Sequence, residues 1–267
     1  MGTVNVLVIT GYGTNSHIET AHTARLAGAD RVDIVHFSDI VATKTRLADY
    51  HLLVFPGGFL DGDDLGAAHA AAMRWRHLKD AAGIPLRQSL CDFLDDGKLI
   101  LGICNGFQAL VRTGLLPFGR VVDPDELGEG SAVLTFNAIG RHQSKIVRSR
   151  VLSNRSPWLS RTRVGDVFAM PVSHGEGRFV CGVPLLRRLA EAGQVATQYV
   201  DLQGSPTMDV QYNPNGSLAS VEGLLSPDGR VFGRMGHAER VGDGLYQNAG
   251  RTGGTMMFES AMDFLMG

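Results

Sequence analysis

The sequence predicts an α/β protein: a mostly parallel, doubly wound sheet with an added antiparallel section. Two observations carry this expectation. Over residues 4–116, short apolar runs alternate with helix-compatible segments, the order that a parallel sheet covered on both faces requires. Beyond that point the chain turns to short strands separated by turn residues, with a hairpin turn at "SPDGR".

The elements follow in order. "VNVLVIT" (residues 4–10) reads as a buried strand, and "HIETAHTARLAGA" (17–29) as a helix ending at glycine. "RVDIVHFSDI" (31–40) reads as a second strand, and "YHLLVFPGGF" (50–59) as a third, ended by proline and two glycines. Residues 73–94 are largely helical, with an interruption at "AAGIP". "KLILGIC" (98–104) is a fourth strand and "NGFQALVRTGLL" (105–116) the helix after it. Strands and turns are then expected in 132–151, 167–180, 194–201 and 221–241, and "TMMFESAMDFLMG" closes the chain as an amphipathic helix. No low-complexity linker and no internal repeat divides the chain, so residues 1–267 are expected to form a single domain.

Composition narrows the function. With 267 residues, 44% of them hydrophobic, the chain can bury one large core. A net charge of −2 with scattered Lys and Arg gives no nucleic-acid surface. No apolar run reaches membrane-spanning length, and "MGTVNVLVIT" has neither a basic region nor a cleavage site. The three cysteines, Cys91, Cys104 and Cys181, form no CxxC pair and no disulfide framework. A reducing, cytoplasmic setting is expected.

Cys104 lies in Gly102-Ile103-Cys104-Asn105-Gly106, where a buried strand meets a helix. A nucleophile on such a sharp turn needs small residues two positions before and after it, and G-x-Cys-x-G meets that need. A helix start favours a thiolate, and the Asn105 N–H points where an oxyanion would form. The alternative is a buried cysteine packed beside glycines. A thiolate needs a base and the base an orienting group. Two His-x-Glu pairs offer them, His174-Gly175-Glu176 and His237-Ala238-Glu239. In an extended segment, residues at i and i+2 face the same way, so either pair can converge. The residue pattern does not choose between them. "FPGGFLDGDDLGA" (55–67) places two glycines after a strand and offers a second set of backbone donors. A tight turn alone would also explain it.

Taken together, "FPGGF", "GICNGFQAL" and "HAER" resemble class I (triad) glutamine amidotransferases, with their flavodoxin-like fold. The finer resemblance is to the PurQ-type glutaminase subunit of phosphoribosylformylglycinamidine synthase. "GYGTNSHIETAHTARLAGA", "FNAIGR", "HGEGRF", "QYNPNGS" and "GLLSPDGRVFGRMGHAERV" extend it over most of the chain. The resemblance implies that Cys104 attacks the side-chain amide of glutamine, that His237 shuttles protons and that Glu239 orients it. It implies an oxyanion site at Gly58 with Gly57 or Phe59 and Asn105, and glutamine contacts from Gln108 and His174. Ammonia would pass to a PurL-type synthetase, with a small PurS-type subunit bridging the two. ATP and magnesium would lie on the synthetase, and no metal or cofactor is expected in this chain. Weak activity without the partner would follow.

Some residues depart from the family pattern. Ala238 stands between the His and Glu where the family usually has Pro, and "RMG" replaces a Met-Pro approach. In "LDGDD", Gly62 and Asp63 match while Leu60 and Asp61 do not, and residues 67–94 form a longer segment. Two other readings remain: a degenerate amidotransferase-fold subunit, and a cysteine hydrolase of the same general fold. Three motifs fail. "GYGTNS" has Ser16 where a dinucleotide fingerprint needs Gly or Ala. Neither His-x-Glu pair is followed by the P-C-x-x-C of zinc deaminases, and His17 with His22 is no metal-ligand spacing.

Overall fold

Val6, Leu7 and Val8 are wholly buried in the first strand, because helices cover both faces of a parallel sheet. A computed structural model describes residues 2–63, 65–128, 130–240, 242, 244–253 and 255–267. Its first half contains β1 (Asn5–Thr10), α1 (His17–Leu26), β2 (Arg31–His36), α2 (Phe37–Val41) and β3 (Leu52–Phe55). These are followed by α3 (His69–His77), α4 (Leu86–Asp95), β4 (Leu99–Ile103), α5 (Asn105–Thr113) and α6 (Leu115–Phe118). The second half contains β5 (Val133–Phe136), β6 (Gln143–Val151), β7 (Val167–His174), β8 (Glu176–Val180), α7 (Val183–Glu191) and β9 (Val195–Tyr199). It ends with β10 (Val221–Leu225), β11 (Val231–Arg234) and α8 (Met256–Met266).

Nine strands form one sheet in the order β2-β1-β3-β4-β11-β10-β9-β6-β7, and β5 pairs with β8 in a second, two-stranded sheet. Strands β2, β1, β3, β4 and β11 run parallel. The pairs β11/β10, β10/β9, β9/β6 and β6/β7 are antiparallel. β11 is thus the joint between the two halves. It places the end of the late "VFGR" segment beside the cysteine strand, with Arg234 opposite Ile103.

Three details differ from the sequence reading. The second strand stops at His36, and the "FSDI" expected to extend it is helical. The His36 imidazole accepts from the Ser38 N–H at 3.2 Å, capping α2 and ending the strand. The third strand is only four residues long, because Pro56 has no N–H to continue the ladder. Helix α7 was not anticipated. It begins with Pro184 in its first turn, and it buries Leu185 and Leu189, one helical turn apart. No helix among the described residues is long and apolar enough to cross a membrane.

Candidate active site

The site sits at the carboxyl ends of β1, β3, β4 and β11, neighbours in the parallel section, where open α/β sheets place their ligands. β4 ends at Ile103 and α5 begins at Asn105, which leaves Cys104 as the single residue of the elbow. Its backbone is at φ 53°, ψ −107°, a conformation that costs a non-glycine residue on the order of 1–3 kcal/mol. The flanking glycines make the turn possible. A methyl group on Gly106 would lie 1.9 Å from the Phe55 carbonyl oxygen of β3. Any side chain there would push α5 off the sheet. The Cys104 thiol faces the Ser173 carbonyl oxygen on β7 at 3.7 Å.

His237 follows β11 and is almost completely buried. Its Nδ1 lies 2.6 Å from Glu239 Oε1, and its Nε2 has no hydrogen-bond partner among the described residues. Cys104 is close by. A methyl group built on Gly57 would sit 2.6 Å from His237 Cε1 and 3.4 Å from the Cys104 β-carbon. Burial alone would push the imidazole's pKa down. The Glu239 carboxylate and the Cys104 sulfur outweigh it and push it up to about 10. Burial likewise disfavours the Glu239 carboxylate, and His237 more than offsets this, holding it below the usual range. The segment is not extended, as the i, i+2 argument assumed. Ala238–Arg240 forms a 3₁₀ turn, and the turn brings both side chains to one side.

The other His-x-Glu pair does not join. His174 Nδ1 bonds the Asn137 side-chain oxygen at 3.1 Å. The Asn137 amide nitrogen donates to the His174 carbonyl at 2.8 Å and to the Arg141 carbonyl at 3.0 Å. That orientation makes Nδ1 the protonated nitrogen and leaves the buried Nε2 as an acceptor with no partner among the described residues. Burial, with His142 and His237 adding to it, pushes the His174 pKa down to about 4. Glu176 accepts from the Ala67 N–H through both oxygens, each at 3.2 Å.

The expected oxyanion donors are corrected in part. The Gly57 N–H donates to Ser16 Oγ at 2.8 Å, and the Phe59 N–H to the Gly13 carbonyl at 2.8 Å. Both are therefore occupied. Among the described residues the Gly58 N–H has no such partner, and its φ of +143° is one that glycine alone adopts readily. The Asn105 N–H heads α5, where helix geometry supplies no internal acceptor. Asn105 also fixes the "PGGF" loop, because its Oδ1 accepts from the Leu60 N–H at 3.2 Å.

Gln108, expected to contact glutamine, is also tied to its neighbours. Its Nε2 donates to the Glu176 carbonyl at 2.7 Å, and its Oε1 accepts from Asn105 at 3.2 Å. It ties α5 to β8 from a buried position. The sequence reading missed Ser16 and Asn137, although "GYGTNS" and "FNAIGR" contain them. It also missed the Ser173 carbonyl.

The arrangement is a thiol on a strained elbow, an imidazole and a buried carboxylate in the turn that follows the adjacent strand, and backbone N–H groups at Gly58 and Asn105. It can carry out nucleophilic attack on a carbonyl carbon with proton transfer. Fold and site together define a cysteine enzyme of the acyl-transfer class. Residues 3–265 match the CobB/CobQ-like glutamine amidotransferase domain family. The phosphoribosylformylglycinamidine synthase subunit PurQ of Methanococcus maripaludis strain C7 is 38% identical over 236 residues, 88% of this chain and 81% of that protein. The same subunit from Dehalococcoides mccartyi is 35% identical over 240 residues, 90% and 86% of the two chains. The PurLQS structure from Thermotoga maritima superposes with a TM-score of 0.71 at 26% identity, covering 99% of this chain and 100% of that one. The glutaminase domain of Trypanosoma brucei CTPS shares the fold, with a TM-score of 0.54 at 13% identity over 97% of this chain and 92% of that one. This chain belongs to the PurQ family of glutamine amidotransferases.

Proposed function

We propose that the chain is the glutaminase subunit of a phosphoribosylformylglycinamidine synthase, with Cys104 as nucleophile, His237 as proton carrier and Glu239 as its orienting partner. Family membership supports the activity, and the 2.6 Å His237–Glu239 bond beside the Cys104 elbow supports the assignment of residues. The Cys104 thiolate adds to the amide carbon of glutamine. The negative oxygen is held by the N–H groups of Gly58 and Asn105. His237 gives its proton to the departing nitrogen, the C–N bond breaks, and ammonia leaves a glutamyl thioester. Water, deprotonated by His237, then adds to the thioester and releases glutamate and the thiolate. The bare Nε2 of His174 is suited to accept an N–H from the bound glutamine.

The ammonia goes to a PurL-type synthetase in a complex with a PurS-type subunit, as the name of the Thermotoga assembly suggests. ATP and magnesium belong to that synthetase, and the complex works in the cytoplasm. Residues 1–267 act as one amidotransferase domain, which the continuous nine-stranded sheet supports. Ammonia release from glutamine, measured with and without a synthetase, tests the reading. Release should rise with the partner. Cys104→Ala should abolish glutamine-dependent amidine synthesis and spare synthesis from added ammonia. Loss of both would reject the assignment.

A further inference from the structure

Glu222 and Arg234 lie behind the site. Both are buried, on adjacent strands β10 and β11, with Glu222 at 0% exposure. The Glu222 carboxylate accepts five hydrogen bonds. Oε2 takes Thr197 Oγ1 at 2.5 Å, Arg234 Nη2 at 2.9 Å and Ser149 Oγ at 3.0 Å. Oε1 takes Arg234 Nε at 3.3 Å and the Gly236 N–H at 2.7 Å.

Stability does not account for this pair. A buried ion pair gains little over two well-packed apolar side chains, because both charges must leave water. What apolar side chains cannot do is accept the Gly236 N–H. Gly236 immediately precedes His237, at the point where β11 gives way to the 3₁₀ turn. That point has no side chain of its own to fix it. A methyl on Gly236 would lie 2.3 Å from Met170 Sδ and 3.0 Å from Glu222 Oε1. Met170, with the carboxylate beside it, therefore fills the place where a side chain would pack, and the carboxylate bonds the Gly236 N–H. On either side, the Met235 N–H bonds the Glu222 carbonyl at 3.1 Å and the His237 N–H bonds the Pro171 carbonyl at 2.9 Å. Glu222 thus holds two successive peptide groups leading into the histidine.

We propose that Glu222 is a positioning residue for His237: it anchors the Gly236 peptide that sets the direction of the imidazole, and Arg234 holds the carboxylate in place. The proposal rests on the glutaminase reading for its kinetic consequence, but not for its geometry.

Two double variants separate anchoring from packing. Glu222→Met with Arg234→Met removes both charges and leaves the Gly236 N–H without an acceptor. Glu222→Gln with Arg234→Met also removes the ion pair but keeps an amide oxygen for Gly236. In the first, kcat for glutamine hydrolysis should fall about ten- to hundredfold, with KM within about twofold, as expected for a misaimed catalytic group. The second should recover to within about threefold of the parent.

Alkylation of Cys104 by iodoacetamide, which needs no glutamine, should follow the same order. A folded Met/Met variant with unchanged kcat and alkylation rate would overturn the proposal. Equal impairment of the two variants would also overturn it. If the Met/Met variant does not fold, the Gln/Met variant decides: a kcat loss beyond about tenfold contradicts anchoring. If the unmodified protein hydrolyses no glutamine with its synthetase, the glutaminase reading fails, and the alkylation arm still tests Glu222.

Discussion

His174-Gly175-Glu176 and His237-Ala238-Glu239 have the same spacing and opposite environments. Around His237 the backbone folds into a 3₁₀ turn and the histidine meets its own glutamate. Around His174 the chain leaves β7 and enters β8, which belongs to a different sheet. There the histidine meets a neutral amide, while the glutamate turns to the Ala67 N–H. One imidazole is held protonated and the other neutral, and the first lies near enough to add to the lowering of the second. Spacing brings candidates together, and the backbone between them decides whether they interact. The division suits an enzyme that needs one histidine to move a proton and another only to accept a hydrogen bond.

The sharpest break of this contrast is His237→Gln, which should cut glutamine hydrolysis by about 10³-fold or more, as loss of a triad base does. Steady-state kinetics with the synthetase present would measure it. Glu239→Gln should follow at about 10²-fold or more, because the amide no longer stabilises the imidazolium. His174→Gln should act differently. KM for glutamine should rise about tenfold while kcat stays within about threefold, the signature of a lost binding contact. A fall in kcat as large as that of His237→Gln would erase the distinction between the two histidines.

Stability against pH should mirror the contrast. His174 is held at about 4, against 6.5 for a free imidazole, so below about pH 6.5 the unfolded chain takes up a proton that the folded one refuses. Its contribution is present above that pH and is lost as pH falls towards 4, at most about 3 kcal/mol. His237 is raised, so its contribution is complete below about pH 6.5 and is lost as pH rises through about 10. Denaturant midpoints across pH should show less acid loss in His174→Gln and less alkaline loss in His237→Gln. The smallest effect is expected from Glu176→Gln. It leaves the Ala67 N–H an acceptor and should lower stability by about 1 kcal/mol, read as a shift in melting temperature.

The elbow and the parallel half of the fold were legible in the sequence, because local chemistry writes its own signals; the contrast between the two His-x-Glu pairs was not, because both have the same spacing. The cysteine elbow needs Gly102 and Gly106 within four residues, and the strand–helix alternation follows hydrophobic period. Long-range partners were not legible. Whether Gly57 or Phe59 can donate depends on Ser16 and Gly13, about 40 residues away and brought close by the β1–β3 pairing. Gln108 is taken up by Glu176 from another sheet. Two signals were available and unread. Val183-Pro184 opens α7 with a helix-start proline. Glu222 and Arg234 interrupt apolar strands whose burial demands that such charges be paired.

If His237, and not His174, is the protonated partner of Cys104, the two imidazoles must differ in protonation near neutral pH. Nitrogen NMR of the two imidazoles, assigned with the His174→Gln and His237→Gln variants, tests it most directly. His237 should carry protons on both nitrogens at about pH 8, and His174 should stay neutral down to about pH 5. Observing His237 neutral at the first pH, with His174 gaining its proton near 6.5, would contradict the account.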